Sequence, residues 1–186
     1  MDKFVCIECT VKAASDNHAR SIFNLASSRL LHAHDWSHLT DSLLLTSEHR
    51  DAHGAPVSRA VEADDYINLT DEEQRPFGWM QVVDVVQSTT GQNGEVAVVT
   101  LPVGLPFDDD DKLTEAGRKP TLLRVVRRGL DVTAAFVMES YPFTTAFERL
   151  GVYMVQWRSL VNGLLSDLTP IDANEHADKI PSTRFA

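Results

Sequence analysis

Residues 147–168 read FERLGVYMVQWRSLVNGLLSDL, and the reading of this stretch decides the fold. Phe147, Leu150, Met154, Trp157, Val161, Leu164 and Leu168 recur at spacings of three and four, which predicts one long amphipathic helix. A coiled coil is the rival reading of such a stripe. Gly151 and Gly163 weaken it, complementary flanking charges are missing, and Tyr153, Leu160 and Leu165 widen the apolar face. A face that wide suits a sheet. The helix therefore closes a core.

Upstream of it the periodicity changes from helical to alternating. Residues 131–140 form the clearest strand: Val132, Ala134, Phe136 and Met138 alternate with Thr133, Ala135, Val137 and Glu139. A strand at 121–128 meets it through Gly129-Leu130, which fits a two-residue turn with glycine at its first central position. Strands at 78–88 and 95–101 flank Thr90-Gly91-Gln92-Asn93-Gly94, where Asn93-Gly94 is a hairpin signal. Shorter strand-like pieces lie at 41–47 and 65–70.

At the N-terminus, residues 4–12 alternate, with Val5, Ile7, Cys9 and Val11 on one face and Phe4, Cys6, Glu8 and Thr10 on the other. Ser15 and Asp16 offer an N-cap to a helix whose stripe is Ala19, Ile22, Phe23, Ala26, Leu30 and Ala33. His32 to His38 form its end or a second short helix. Residues 48–63 and 102–120 read as long loops, the second carrying Asp108-Asp109-Asp110-Asp111; such loops in a compact domain are functional or mobile. The expected organisation is a single domain over 1–168 and a coil tail over 169–186, where Pro170 and Pro181 interrupt any pattern.

Bulk properties set limits on function. The 186 residues, 43% hydrophobic, suffice for one domain with a full core. A net charge of -10 argues against non-specific nucleic-acid binding and against an anionic membrane surface. No signal-like apolar run follows Met1, and no run approaches the ~20 residues of a membrane span. Cys6 and Cys9 are the only two cysteines, too few for a disulfide scaffold, so a cytoplasmic location is expected.

One strand, one or two helices, a run of strands and a long C-terminal helix: this order resembles the START / Bet v 1-like (SRPBCC) helix-grip superfamily over about residues 3–168. The helix start Ser15-Asp16-Asn17-His18-Ala19 and the terminal Trp157-Arg158-Ser159-Leu160-Val161-Asn162-Gly163-Leu164 are similar to the corresponding parts of such domains. The resemblance implies an α+β helix-grip fold, a curved antiparallel sheet of about seven strands wrapped around the C-terminal helix, with a cavity between them. It also implies hydrophobic ligands such as lipids, sterols or polyketides, or cyclase, hydroxylase-component and hydrolase activities; the fold alone does not choose among them.

Several residues invite a chemical reading. His34 and His38 lie one turn apart if the backbone is helical, a spacing suited to a divalent metal, and His49 and His53 repeat it. A surface cluster at a capped helix end is the plainer reading of His32, His34, Asp35 and His38. Cys6-Ile7-Glu8-Cys9 has CxxC spacing, but within a strand its sulfurs point to opposite faces. Four adjacent aspartates make a solvated, self-repelling loop, without the ligand spacing of a calcium site. Asp84 alternates in phase with Met80, Val82 and Val86, so a regular strand would turn it into the concavity, where burial would raise its pKa. Glu8 is the second such carboxylate. An ion pair with Arg124 or Arg127, or exposure to solvent, is the bland alternative for both.

The sequence thus predicts a ligand site lined by Met80, Asp84, Phe136, Met138, Met154 and Trp157, with no cofactor, no metal and no assigned catalytic residue. Three functions remain open on these grounds: non-catalytic binding of a small hydrophobic or aromatic molecule, an enzyme using a cavity carboxylate, and an acidic protein-interaction module that recognises a partner through its loops. The oligomeric state is not specified.

Overall fold

A computed structural model describes residues 4–40, 46–70, 76–103, 120–139 and 146–168. The acidic run Asp108–Asp111, most of the 102–120 loop, the first part of the 41–47 segment and the tail from Thr169 lie outside the described residues. Strand β1 (Phe4–Lys12) leads into α1 (Asp16–Leu31), a 3-10 turn (Ala33–Asp35) and α2 (Trp36–Leu39). Strands β2 (Thr46–Arg50), β3 (Tyr66–Thr70), β4 (Pro76–Thr90), β5 (Asn93–Val103), β6 (Thr121–Arg128) and β7 (Asp131–Glu139) follow, and α3 (Ala146–Leu165) comes last. The strands form one antiparallel sheet in the order β1-β7-β6-β5-β4-β3-β2. This is the expected α+β helix-grip arrangement.

The register shows which side chains share the inner face. Ile7, Phe136, Leu123, Val98 and Val85 stand in one row across β1, β7, β6, β5 and β4. Cys9, Ala134, Val125 and Val96 form the row beside it. These residues join Leu160, Val161, Leu164 and Leu165 of α3 in one core. Leu160, Val161 and Leu164 are fully buried, so the described, C-terminal part of the α3 stripe packs into the core. Cys6 is exposed while Cys9 packs against the core, so the CxxC sulfurs diverge as the alternation requires.

Helix α1 starts where Ser15 is extended and its hydroxyl accepts the His18 N–H at 3.2 Å. Its predicted stripe is buried: Ala19, Ile22, Phe23, Ala26 and Leu30 all lie under 9% exposure. Each large member contributes roughly 1.5–3 kcal/mol by leaving water. The far end stops against Trp36, whose buried indole N–H donates to the carbonyls of Arg29 and Leu30, both at 3.2 Å. Arg29 in turn reaches the end of α3. Its Nη1 donates to the carbonyls of Gly163, Leu164 and Ser166 at 3.1, 3.3 and 2.8 Å. The last turn of α3 has no basic residue of its own, so α1 supplies the cation its C-terminus favours.

The hairpin between β4 and β5 turns two residues earlier than Asn93-Gly94 suggests. Thr90 pairs with Asn93, leaving Gly91-Gln92 as the two-residue loop, with Gly91 at φ +60. Gly94 lies inside β5 for a different reason. A Cβ there would stand 2.8 Å from the Phe23 ring of α1. The sheet needs a bare backbone at that point to admit the helix. Gly94→Ala is therefore expected to cost about 1–2 kcal/mol, and Phe23→Leu in the same chain to recover part of it; equal thermal midpoints for Gly94→Ala and the parent would refute the close approach.

Candidate functional site

The inner face beneath α3 is where the sequence places a ligand, and the structure brings part of that set together. Phe136 of β7 is fully buried, and its ring stacks on Trp157 of α3 with centroids 4.2 Å apart and planes 11° apart. Trp157 is only half-buried, as is Met138, two residues from Phe136 on the same face. Met80 is buried on the inner face of β4, facing Ile67 of β3. The side chain of Met154 lies outside the described residues.

Asp84 departs from the expectation. Val82 pairs with Thr100 and Asp84 with Val99, so Val83 is an extra, bulged residue. The bulge shifts the alternation by one: Val82 and Val85 face the core, whereas Val83, Asp84 and Val86 are exposed. A regular strand would have turned Asp84 inward; this strand turns it out. Glu8 is exposed as well. The acid–base scheme built on these two carboxylates is thereby removed. Arg124 and Arg127 pair elsewhere, Arg124 with Glu95 at 3.7 Å and the buried Arg127 with Asp16 at the start of α1.

Among the described residues the inner face carries, besides the buried Arg127 that pairs with Asp16, two polar stations. The first is Thr100 on β5, fully buried, whose hydroxyl shares a hydrogen bond with that of Thr121 on β6 at 2.5 Å and lies 3.7 Å from the Met80 sulfur. The second is His49 on the edge strand β2. It faces inward beside Ile67 and is 2% exposed, so it belongs to a strand and not to a loop.

His49 is held by a network from the segment that follows it. Its Nε2 lies 2.8 Å from Asp65 Oδ2, and a carboxylate only accepts, so Nε2 carries the proton. Arg59 grips the same carboxylate with both terminal nitrogens, at 2.7 and 2.9 Å, and the Glu62 N–H donates to it at 2.8 Å. Burial alone would push the Asp65 carboxyl up; the donors from Arg59, Glu62 and His49 outweigh it and hold the group below the usual range. For His49 burial wins. Desolvation lowers its pKa despite the neighbouring carboxylate, leaving a neutral imidazole at neutral pH. The Arg59 guanidinium is raised, chiefly by its hydrogen bond to Asp65.

The segment 51–65 is tied down along its length. Asp51 accepts the His53 and Ala55 N–H groups, Val57 N–H donates to the His49 carbonyl, and Val61 N–H donates to that of Leu31. The loop expected over 48–63 is thus a folded strap beside β2, and its first residues, Glu48 to Arg50, belong to that strand.

His34 from the 3-10 turn lies beside His49, the rings nearly parallel at 15° with centroids 6.3 Å apart. His34 therefore meets His49, not His38, which is exposed, as is His53. Among the described residues no group of three or more His, Cys, Asp or Glu side chains gathers to hold a metal ion. Spacing along the chain singled out His34 and His49 but paired each with the wrong neighbour. Asp65 and Arg59 had no local signal, since their partner lies on another strand.

No protein-family profile matches the sequence, and no curated protein matches it. Solved structures do. A hypothetical protein of Helicobacter pylori, jhp0584, is similar over 89% of this chain and 87% of its own, with a TM-score of 0.55 at 13% identity. Major latex-like protein 151 of Panax ginseng covers 90% of this chain and 99% of its own, with a TM-score of 0.45 at 11% identity. No helix among the described residues is long and apolar enough to cross a membrane. At 13% identity the likeness to the Helicobacter protein extends to the fold alone, the α+β helix-grip arrangement of a seven-stranded antiparallel sheet and a C-terminal helix.

Proposed function

We propose that this protein binds a small hydrophobic or aromatic molecule between the inner face of the sheet and α3, and that it does so without catalysis. The observation that carries this reading is the Phe136–Trp157 stack: Phe136 is sealed in the core, while Trp157 and the neighbouring Met138 are only partly buried. Aromatic and thioether side chains adapt to a ligand by stacking and by rotamer change. The inner rows are otherwise aliphatic, so a neutral, largely apolar partner matches the chemistry. Both carboxylates considered for acid–base work face solvent, which favours binding over reaction.

The test is titration with the neutral dye Nile red. Saturable, blue-shifted fluorescence is expected, with Trp157→Ala weakening binding about tenfold, the equivalent of an aromatic contact worth ~1.4 kcal/mol. Failure to take up either the dye or a neutral lipid, with the protein folded, would refute the proposal.

A further inference from the structure

His49 and His34 share a property that packing alone does not explain. The Nδ1 atom of each ring is buried and has no hydrogen-bond partner. On His49 the proton sits on Nε2, facing Asp65, so Nδ1 is a bare lone pair directed away from that carboxylate. The His34 Nε2 lies 3.4 Å from an Asp35 carboxylate oxygen without a hydrogen bond between them, so that contact fixes no tautomer for this ring. His49 Nδ1 is therefore a buried acceptor with no donor among the described residues, and the adjacent His34 ring carries a second unpartnered nitrogen. A buried acceptor left unsatisfied costs roughly 1–3 kcal/mol. Native structures keep such a group where something else completes it.

What completes it must be a donor. A second carboxylate or a carbonyl would add a further lone pair. A cation would need more ligands than these, and no third ligating group joins them among the described residues. A neutral donor remains, an N–H or an O–H, water's included, and a hydroxyl is the one a small, largely apolar ligand most simply carries. His49 also stands on the inner face in register with Ile67 and, through it, with Met80. Strands are about 4.8 Å apart, so His49 lies roughly 10 Å from Met80 across the sheet. A small amphipathic molecule can span that distance.

We propose that His49 Nδ1, with His34 beside it, is the polar anchor of the ligand site and accepts a hydrogen bond from an alcohol or phenol hydroxyl. The inference rests on the reading of the inner face as a ligand site and adds the class of ligand: apolar, uncharged and hydroxyl-bearing. Asp65 and Arg59 act as positioning residues, since they keep the His49 proton on the far nitrogen and the near one free to accept.

The experiment compares 2-naphthol with 2-methoxynaphthalene, which differ in having or lacking the O–H. Binding is followed by tryptophan fluorescence, and the imidazole nitrogens by 15N NMR. Naphthol is expected to bind about tenfold more tightly than the ether, and its addition to move the His49 Nδ1 resonance upfield while the ether leaves it in place. His49→Leu is expected to erase the preference while retaining binding of the ether. Equal affinities with an unmoved Nδ1 resonance would overturn the anchor and leave the apolar site standing. If neither compound binds, the anchor and the ligand site both fall. The NMR arm uses the unaltered protein, so poor folding of His49→Leu would not rescue the idea.

Discussion

Gly163→Ala is expected to destabilise the protein by about 3 kcal/mol, although the same change in an exposed helix would stabilise it by about 1 kcal/mol. Gly163 is buried in α3, and its Cα faces the backbone of α2. An added methyl carbon would lie 2.7 Å from the Leu39 carbonyl carbon and would overlap the attached oxygen. Backbone atoms cannot swing aside as a side chain can, so α2 and α3 would have to part. Movement of α3 would also disturb the Arg29 contacts, because Gly163 contributes one of the three carbonyls that Arg29 holds. Urea denaturation would measure the effect as a lower midpoint with an unchanged slope. A midpoint equal to or above that of the parent would contradict the close packing of the two helices.

Asp65→Ala should have the second large effect, again about 3 kcal/mol. Removing one partner of a buried charge network costs 3–5 kcal/mol, and the lower end applies because the Arg59 side chain is 37% exposed and partly solvated. The change strands the His49 Nε2–H and the Glu62 N–H as well as the guanidinium. Stability near pH 7 is the first readout, and pH is the second. Both titrating groups work in the same direction. His49 is depressed below its ordinary 6.5, so below that pH the unfolded chain takes up a proton that the native state resists, and stability falls. Asp65 is depressed below 3.8, so its contribution is present above that value and is lost as pH falls through its lower folded value. Stability should therefore decline in two stages on acidification. In His49→Leu the first stage, beginning near pH 6.5, should flatten while the second persists; a parent protein equally stable at pH 5 and pH 7 would exclude a neutral, buried His49.

Neither effect is legible in the sequence, although the layout in which both arise is. The layout of the sheet and helices could be read from the sequence because it depends on repeated signals. The alternation in 131–140 matches β7, and the three-four spacing from Leu160 to Leu165 matches the buried side of α3. Ser15 announces α1 for a local reason, since a cap needs only its own helix. Events that depend on a single residue meeting a distant one could not be read. Gly163 looked like a flaw in an apolar stripe, and its purpose is visible only once Leu39 is beside it. Asn93-Gly94 carried the right residues for a turn, but Phe23, about seventy positions earlier, needs Gly94 in the strand.

The site shows the same division. Phase alone turns Met80, Phe136, Met138 and Trp157 toward the core, and their full or partial burial agrees with that phase. Asp84 was misplaced because a bulge leaves no mark in composition, and one extra residue reverses every later assignment in a strand. In the sequence only its distance from His53 singles out His49. Its actual company is set by β-pairing and by the fold of the 51–65 segment. Nothing in the spacing of His49, Arg59 and Asp65 could have signalled that they converge.

Strand β4 carries surplus residues toward both neighbours. Val83 is extra against β5, and a second register shift lies against β3 between Leu69 and Thr70. Bulges bend a strand and deepen its twist. The bore of the grip is accordingly encoded in how many residues β4 contains as well as in which ones. Descendants of this chain could flatten their concavity by losing the single codon for the bulged Val83, which would leave Val82 and Val85 facing the core.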